Sequence, residues 1–223
     1  MEAPIKTRYD KAGPQVAEAL RRRHFEAHYV STAQEALDLA LTLIPKDRTV
    51  SWGGTVTAAQ IGLMDRLHQG DYQLIDRDTG KTPTEKQELM RQALTCGTFI
   101  MSSNAISADG QLVNLDGNAN RVAALAFGPK SVILVVGYNK VVCNLDEAIN
   151  RVKAIACPAN CQRIPCETYC REKGRCVSLG KEHSSMTDGC QSPARICSSY
   201  LVQAYQKQKN RIKVILVGED LGY

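Results

Sequence analysis

The sequence has 223 residues and a formal net charge of +5 at pH 7; 43% of its residues are hydrophobic and 5% are aromatic. These values predict a globular protein with an aliphatic core. No apolar stretch approaches the roughly 18 residues of a membrane span, and residues 1–6 lack the apolar core of a secretory signal. The positive charge is mild and comes without interleaved aromatic residues, which argues against nucleic-acid binding.

Cysteine is the unusual component of this composition. The chain has nine cysteines, and seven of them lie between Cys157 and Cys197. A secreted disulfide scaffold is usually short and carries a signal peptide, and the sequence has neither property. We therefore expect a cytoplasmic protein whose thiols are reduced and clustered because they bind something.

Apolar periodicity predicts alternating helices and strands along the chain. Helices are predicted over 15–29, from a capping box at 31–34 to Pro45, from Thr55 or Thr57 to Gly70, over 82–94, and from Asn144 through Ile155. Strands are predicted at 29–30, 49–52, 72–76, 98–101, 111–115, 131–136 and 211–217. This alternation indicates an α/β fold with an open, mainly parallel sheet flanked by helices. We expect a single domain over 1–223, with 157–197 as a Cys-rich insertion within it.

In such a sheet, ligands bind at the carboxyl ends of the strands. Gly53, Gly54 and Thr55 follow one predicted strand and open a helix, so their backbone N–H groups suit a phosphate or carboxylate. The segment lacks the lysine of a P-loop and the glycine spacing of a dinucleotide site. A tight turn with a helix cap is the alternative interpretation.

A second candidate loop is crowded with polar side chains, namely Asn114, Asp116, Gly117, Asn118, Asn120 and Arg121. Gly117 permits a positive φ, Asn and Asp tolerate left-handed geometry, and the apolar run that begins at Arg121 could form a short helix. The N–H groups of that helix and the Arg121 guanidinium would then form an anion site. A hairpin turn rich in turn-forming residues is the alternative.

Two carboxylates and one lysine are candidates for reactive groups. Asp109 and Asp116 lie in neighbouring turns and are candidate acid–base groups or nucleophiles, although an Asp before Gly often only builds a turn. Lys140 follows a strand end and could pair with an anion or with Asp116. His24 and His28 could share a helix face, but no acidic partner completes a metal set. The scattered histidines are therefore expected to be structural or surface residues: His24, His28, His68 and His183.

The clustered cysteines favour a metal or redox role. Their positions are 157, 161, 166, 170, 176, 190 and 197, and none forms the C-x2-C pair of a zinc ribbon or a bacterial ferredoxin. Thiolates select zinc, copper(I) or iron–sulfur clusters. The segment is poor in large apolar residues, so a metal could order it. Free or oxidisable thiols are the alternative.

Residues 104–140, which contain the run Asn114-Leu-Asp-Gly-Asn-Ala-Asn-Arg121, closely resemble the central signature of LUD-domain (lactate utilisation) proteins. The resemblance is closest to the short stand-alone proteins of anaerobic and facultative bacteria. It extends to Trp52–Thr55, 155–163, 190–197 and the closing run at 214–222. It implies a fold similar to the NagB/RpiA/CoA-transferase superfamily, in which glycine-rich loops at strand ends bind phosphate or CoA-type ligands. CoA transferases of that superfamily use a glutamate nucleophile, which the matching turns here lack.

The resemblance also implies a metal or iron–sulfur site held by Cys166, Cys176, Cys190 and Cys197. About ten extra residues separate the middle pair relative to the expected pattern, and Cys157, Cys161 and Cys170 are additional to it. No flavin or nicotinamide fingerprint is present. By analogy with larger relatives, we expect a component of a lactate- or 2-hydroxy-acid-oxidising system that binds an anionic small molecule and associates with protein partners or with itself.

Two other functions remain open from the sequence. One is an enzyme acting on CoA or phosphate esters, with Asp109 or Asp116 as the reactive carboxylate and the cysteine segment as a structural clip. The other is a non-catalytic, ligand-binding module whose thiols sense oxidation.

Overall fold

A computed structural model describes residues 1–182 and 184–223, so the expectation for His183 lies outside the described residues. The helices are α1 (Ala3–Arg22), α2 (Ala33–Thr42), α3 (Val56–Gln60), α4 (Leu63–Gln69), α5 (Pro83–Gln92), α6 (Asn120–Ala126), α7 (Leu145–Arg151), α8 (Cys157–Arg163) and α9 (Tyr169–Lys173). The strands are β1 (Glu26–Val30), β2 (Thr49–Trp52), β3 (Gln73–Ile75), β4 (Thr98–Met101), β5 (Ala105–Ser107), β6 (Leu112–Asp116), β7 (Ser131–Gly137), β8 (Val141–Val142), β9 (Ser199–Gln203) and β10 (Ile212–Val217). Within the described ranges, no helix combines the length and the apolar composition needed to cross a membrane.

The larger sheet contains six strands in the order β1-β10-β7-β4-β2-β3, and every neighbouring pair is parallel. This arrangement confirms the predicted mainly parallel sheet. Its inner strand β7 is buried along its whole length. The apolar run at 131–136 is therefore the central strand that the sequence indicates.

Helices cover both faces of this sheet. Val132, Leu134 and Val136 pack in one cluster with side chains of α1 and α6. Ile133 and Val135 point to the other face and pack with α2, α3 and α4. Burying each such aliphatic side chain stabilises the fold by about 1.5–3 kcal/mol.

The smaller sheet was only partly expected. Its order is β8-β5-β6-β9, in which β6 is antiparallel to both neighbours. The predicted hairpin is confirmed, since the N–H of Gly110 donates to the carbonyl of Ser107 (2.8 Å) at its turn. The strand β9 was not predicted, because every one of its residues is only partly buried and it follows the polar cysteine segment.

The prediction of a helix over residues 15–29 was wrong at both ends. Helix α1 begins at Ala3 and tolerates Pro14 inside it, and it ends at Arg22. His24 takes a left-handed conformation with φ 65°, which breaks the helix before β1. The amphipathic pattern continues through this break, so periodicity alone does not reveal it.

Most helix caps follow the sequence. The Thr55 side chain caps α3, Thr82 and Glu85 form a reciprocal capping box at α5, and Asn144 caps α7. The predicted box at 31–34 is shifted by one residue, because Thr32 pairs with Glu35. The helix predicted after Thr55 is two helices, α3 and α4, separated by a left-handed residue at position 62.

Candidate functional site

A cleft of about 640 Å³ opens at the carboxyl ends of β2, β4 and β7, where the sequence places the candidate loops. Its other wall comes from the loop after β6 and from α8. The predicted ligand-binding residues that line it are Gly54, Thr55, Gly117, Asn118, Asn120, Arg121 and Lys140. The structure therefore brings three separate loops of the sequence into one site.

Two predicted ligand-binding residues, Gly53 and Asn114, do not line the cleft. Asn114 is 1% exposed within β6, and its side-chain amide has no hydrogen-bond partner among residues 1–182 and 184–223. Gly53 leaves room for a neighbouring arginine, because a Cβ there would lie 2.3 Å from Cγ of Arg121. A larger residue at position 53 would therefore displace the Arg121 side chain.

The anion site expected at the start of α6 is filled by the protein itself. The Asp116 carboxylate accepts the backbone N–H of Arg121 at 2.8 Å and lies 3.3 Å from its Nε. Arg121 also donates from Nη2 to the carbonyl of Leu115 at 2.8 Å. The residue of this loop with a positive φ is Ala119 (62°), whereas Gly117 packs against Ile196.

Lys140 is buried at the cleft and does not pair with Asp116. It is 3% exposed, and its Nζ donates to Oγ1 of Thr57 at 2.9 Å and to Oγ of Ser102 at 3.1 Å. Both hydroxyl residues also line the cleft. Burial, together with the positive charges of Arg151 and Arg121, lowers the pKa of Lys140 to about 7.

The cleft is positively charged. Among the described residues that line it, the basic ones are Arg77, Lys86, Arg121, Lys140 and Arg163, and the acidic ones are Asp78 and Asp116. Nη2 atoms of Arg77 and Arg163 both approach the position that a Cβ of Gly54 would take, at 3.3 and 3.8 Å. Nε of Arg163 donates to the Tyr223 hydroxyl at 2.9 Å, which orients that guanidinium. Such a surface concentrates anions.

The two candidate carboxylates are not in one site. Asp116 lines the cleft, whereas Asp109 lies in the turn at the opposite end of β6 and outside the cleft lining. Hydrogen bonds from Ser107 and Gln111, together with Arg23, hold the pKa of Asp109 below its ordinary value. Asp109 therefore has the contacts of a turn-building residue.

The cysteine segment forms one wall of the cleft and encloses a second, small cavity of about 20 Å³. Three of the four thiols expected to bind metal share this cavity with two of the additional ones: Cys157, Cys170, Cys176, Cys190 and Cys197. Cys166 lines the cleft instead, and Cys157 lines both spaces. Sγ of Cys161 lies 3.3 Å from Sγ of Cys170.

The environment of the thiols differs within the segment. The neighbouring Cys157 thiol and the Arg195 guanidinium, whose Nε lies 3.1 Å from Sγ, lower the pKa of Cys197 to about 5. The pKa of Cys157 is raised by the interaction of its thiol with Cys197 and by its burial. No group of three or more His, Cys, Asp or Glu side chains within the described residues is arranged to hold a metal ion.

Sequence reasoning missed several residues of the cleft. Arg77 and Lys86 belong to an exposed segment around β3 and α5 that has no motif, and only the folded chain brings it over the strand ends. Arg163 could have been identified as a candidate from the sequence, since it lies in the part of the chain that resembles the LUD family. Thr57 and Ser102 became candidates only through their contacts with Lys140.

Comparisons with known proteins agree with this architecture. The LUD domain family matches residues 13–217, so the chain belongs to that family. A crystal structure of a DUF162 family protein from Deinococcus radiodurans has the same fold, with a TM-score of 0.50 and 14% sequence identity over 94% of this chain and 98% of that one. A search among curated proteins found no match. The expected LUD family and the expected α/β fold with an open, mainly parallel sheet are thereby confirmed.

Proposed function

We propose that this LUD-family protein binds a small 2-hydroxy- or 2-oxo-carboxylate, of the lactate and pyruvate type, in the cleft at the strand ends. The observation that carries the proposal is the excess of basic over acidic side chains around one cleft. Guanidinium groups bind carboxylates in a bidentate manner, and Arg77 and Arg163 converge beside Gly54. The volume lies within the range of small-molecule sites.

The cysteine segment supports a second part of this proposal, a redox-active metal site next to the cleft. The residue types fit, because thiolates are the ligands of zinc and of iron–sulfur clusters. Since no three such side chains within the described residues are arranged around one position, the thiols would have to move together when the metal binds. Cys176, Cys190 and Cys197 would hold the metal with a fourth thiol, either Cys166, which the family resemblance implies, or Cys157, which shares their cavity. An iron–sulfur cluster bound there would supply one-electron transfer to a lactate-oxidising system.

A specific observation favours one alternative function. The cleft is larger than a three-carbon acid requires, and Asp116 lines it. A CoA or phosphate ester would use that extra space, with Asp116 as the reactive carboxylate. Because Arg121 holds the Asp116 carboxylate, this alternative requires the pair to separate when the ester binds.

Binding is tested by calorimetry with lactate and pyruvate, with the neutral amide lactamide as the control ligand. We expect the acids to bind and lactamide not to bind. Arg163→Gln should weaken binding by about tenfold or more, since a charge-assisted hydrogen bond is lost. Arg22→Gln, at an exposed position on α1, is the matched control and should bind like the unaltered protein. Equal affinity for lactamide would contradict the proposal.

The metal site is tested by measuring iron, zinc and acid-labile sulfide in protein purified without oxygen. Iron with sulfide, lost in Cys190→Ser and Cys197→Ser but retained in Cys143→Ser, would support electron transfer. Comparison of Cys166→Ser with Cys157→Ser identifies the fourth ligand. Zinc alone would make the segment a structural site, and the absence of both metals would refute the metal site.

A further inference from the structure

We propose that Lys140 forms a covalent imine with a 2-oxo acid bound in the cleft. This inference rests on the proposed function, since it requires the cleft to accept a small carboxylate. It assigns Lys140 the role of a nucleophile, which distinguishes it from the arginines that would bind the carboxylate group.

The surroundings of Lys140 differ from those of the carboxylate-paired lysines of the fold. Lys6 and Lys213 are paired with carboxylates, with Nζ–O distances of 2.6 Å to Asp10 and 3.5 Å to Glu26. Lys140 is 3% exposed, and its hydrogen-bond partners within the described ranges are two hydroxyl groups. A buried ammonium without a carboxylate is costly, and a buried neutral amine is much less so.

The charges around Lys140 favour the neutral amine. Arg121 on α6 and Arg151 on α7 act on it with positive charge, and Thr57 after β2 and Ser102 after β4 present uncharged hydroxyls. Because burial and these charges bring its pKa to about 7, much of the amine carries a free lone pair near neutral pH. Lowering the pKa of a lysine in this way is a general route to an amine nucleophile.

The hydroxyl groups that contact Lys140 can also assist imine formation. The Nζ lone pair attacks the ketone carbon of the bound 2-oxo acid, and the C=O bond becomes C–O. Loss of that oxygen as water forms the C=N bond, so one water is released for each imine and no oxidant or reductant is consumed. Thr57 and Ser102 hydroxyls lie at 2.9 and 3.1 Å from Nζ, where they can pass protons from nitrogen to the departing oxygen. A 2-hydroxy acid has no ketone carbon and cannot form the imine.

The test is reductive trapping with borohydride in the presence of pyruvate, followed by mass spectrometry of the intact protein and of its peptides. We expect one reduced pyruvate adduct per chain, located on Lys140, and no adduct with lactate. Adduct formation should increase between pH 6 and pH 8 as the amine loses its proton. Lys140→Arg should abolish it, while Lys213→Arg, the matched substitution of a lysine on β10 outside the cleft lining, should retain it.

The outcomes separate this inference from the proposed function. Pyruvate binding by calorimetry without an adduct on Lys140, or with adducts spread over many lysines, would overturn the imine and leave carboxylate binding intact. Absence of both binding and adduct would overturn both. Peptide mapping on the unaltered protein answers the question even if Lys140→Arg fails to fold.

Discussion

The six-stranded sheet and the cysteine segment (residues 157–197) are stabilised in different ways. In the sheet, side chains such as Ile133 and Leu134 are fully buried between helices. In the segment, polar side chains hold the backbone, as when Arg171 donates from Nη1 to the carbonyls of Cys161 and Ile164 at 2.9 and 2.6 Å. Apolar burial thus determines the fold, whereas hydrogen bonds and thiol contacts shape the wall of the cleft.

The same residue type behaves differently in the two regions. Cys96 is 1% exposed in the core beside β4, and burial raises its pKa to about 11. Cys197 lies beside Arg195 and another thiol, and its pKa is lowered to about 5. A cysteine of the sheet therefore fills space as a small apolar side chain, and a cysteine of the segment is available as a thiolate.

We expect the largest difference in the free energy of unfolding between two variants, each of which truncates a leucine in one of the regions. Leu134→Ala removes a fully buried side chain from β7 and should lower the free energy of unfolding by about 2–5 kcal/mol. Leu179→Ala, at a position that is 38% exposed in the segment, should change it by less than about 0.5 kcal/mol. Urea unfolding measures both values. Equal losses would mean that the segment also has an apolar core.

Two arginines provide a second, smaller contrast. Arg211 is buried and donates to the carbonyls of Ala124, Leu125 and Pro129 at 2.7–2.9 Å. Arg211→Met should therefore cost about 1–3 kcal/mol or more of unfolding free energy, because buried acceptors lose their donor. Arg171→Met should leave global unfolding nearly unchanged and speed proteolysis within the segment. Proteolysis that is unchanged in Arg171→Met would contradict the assigned role of its hydrogen bonds.

Lys140 lies where the two regions meet, and its pKa predicts a pH dependence. Its pKa falls from 10.5 to about 7 on folding, so between these values the unfolded state binds more protons than the folded state. The free energy of unfolding should therefore rise with pH above 7, by up to about 1.4 kcal/mol per pH unit for one proton. Urea unfolding of Lys140→Met should lack this rise. Parallel pH profiles for the two proteins would show that Lys140 is charged in the folded state.

The smallest effects are expected at two helix caps. The Thr32 hydroxyl caps α2 beside the sheet, and the Thr168 hydroxyl caps α9 in the segment. Thr32→Ala should cost about 1 kcal/mol in global stability. Thr168→Ala should instead increase amide hydrogen exchange in α9 without a comparable global loss. A global loss of similar size for both variants would show that the two regions unfold as one unit.

The sequence predicts the sheet well because the information there is local. The β-branched apolar run at 131–136 favours a strand buried on both faces, and Thr82 followed by Glu85 is typical of a helix start. The end of α1 was missed because His24 breaks the helix without a glycine or proline to mark it. The presence of a histidine at position 24 does not by itself predict a left-handed backbone conformation there.

The site was predicted in part. The loops at the strand ends are visible in the sequence, since parallel strands bring their carboxyl ends together. The pairing of Asp116 with Arg121, the hydroxyl partners of Lys140 and the position of Arg77 over the cleft depend on contacts between distant segments. The grouping of Cys157 with the later cysteines likewise depends on how the segment folds back, which spacing does not specify.

The position of β10 has a consequence for the order of events during synthesis. In the larger sheet β1 pairs only with β10, and β10 lies between β1 and β7. On a ribosome, β1 must therefore remain without its neighbour until residues 212–217 emerge, a delay on the order of 10 s at ordinary elongation rates. Once residues 131–137 have emerged, the edge of β7 that will pair with β10 is also exposed, so a nascent chain of this protein presents two unpaired strand edges that chaperones or other chains could bind.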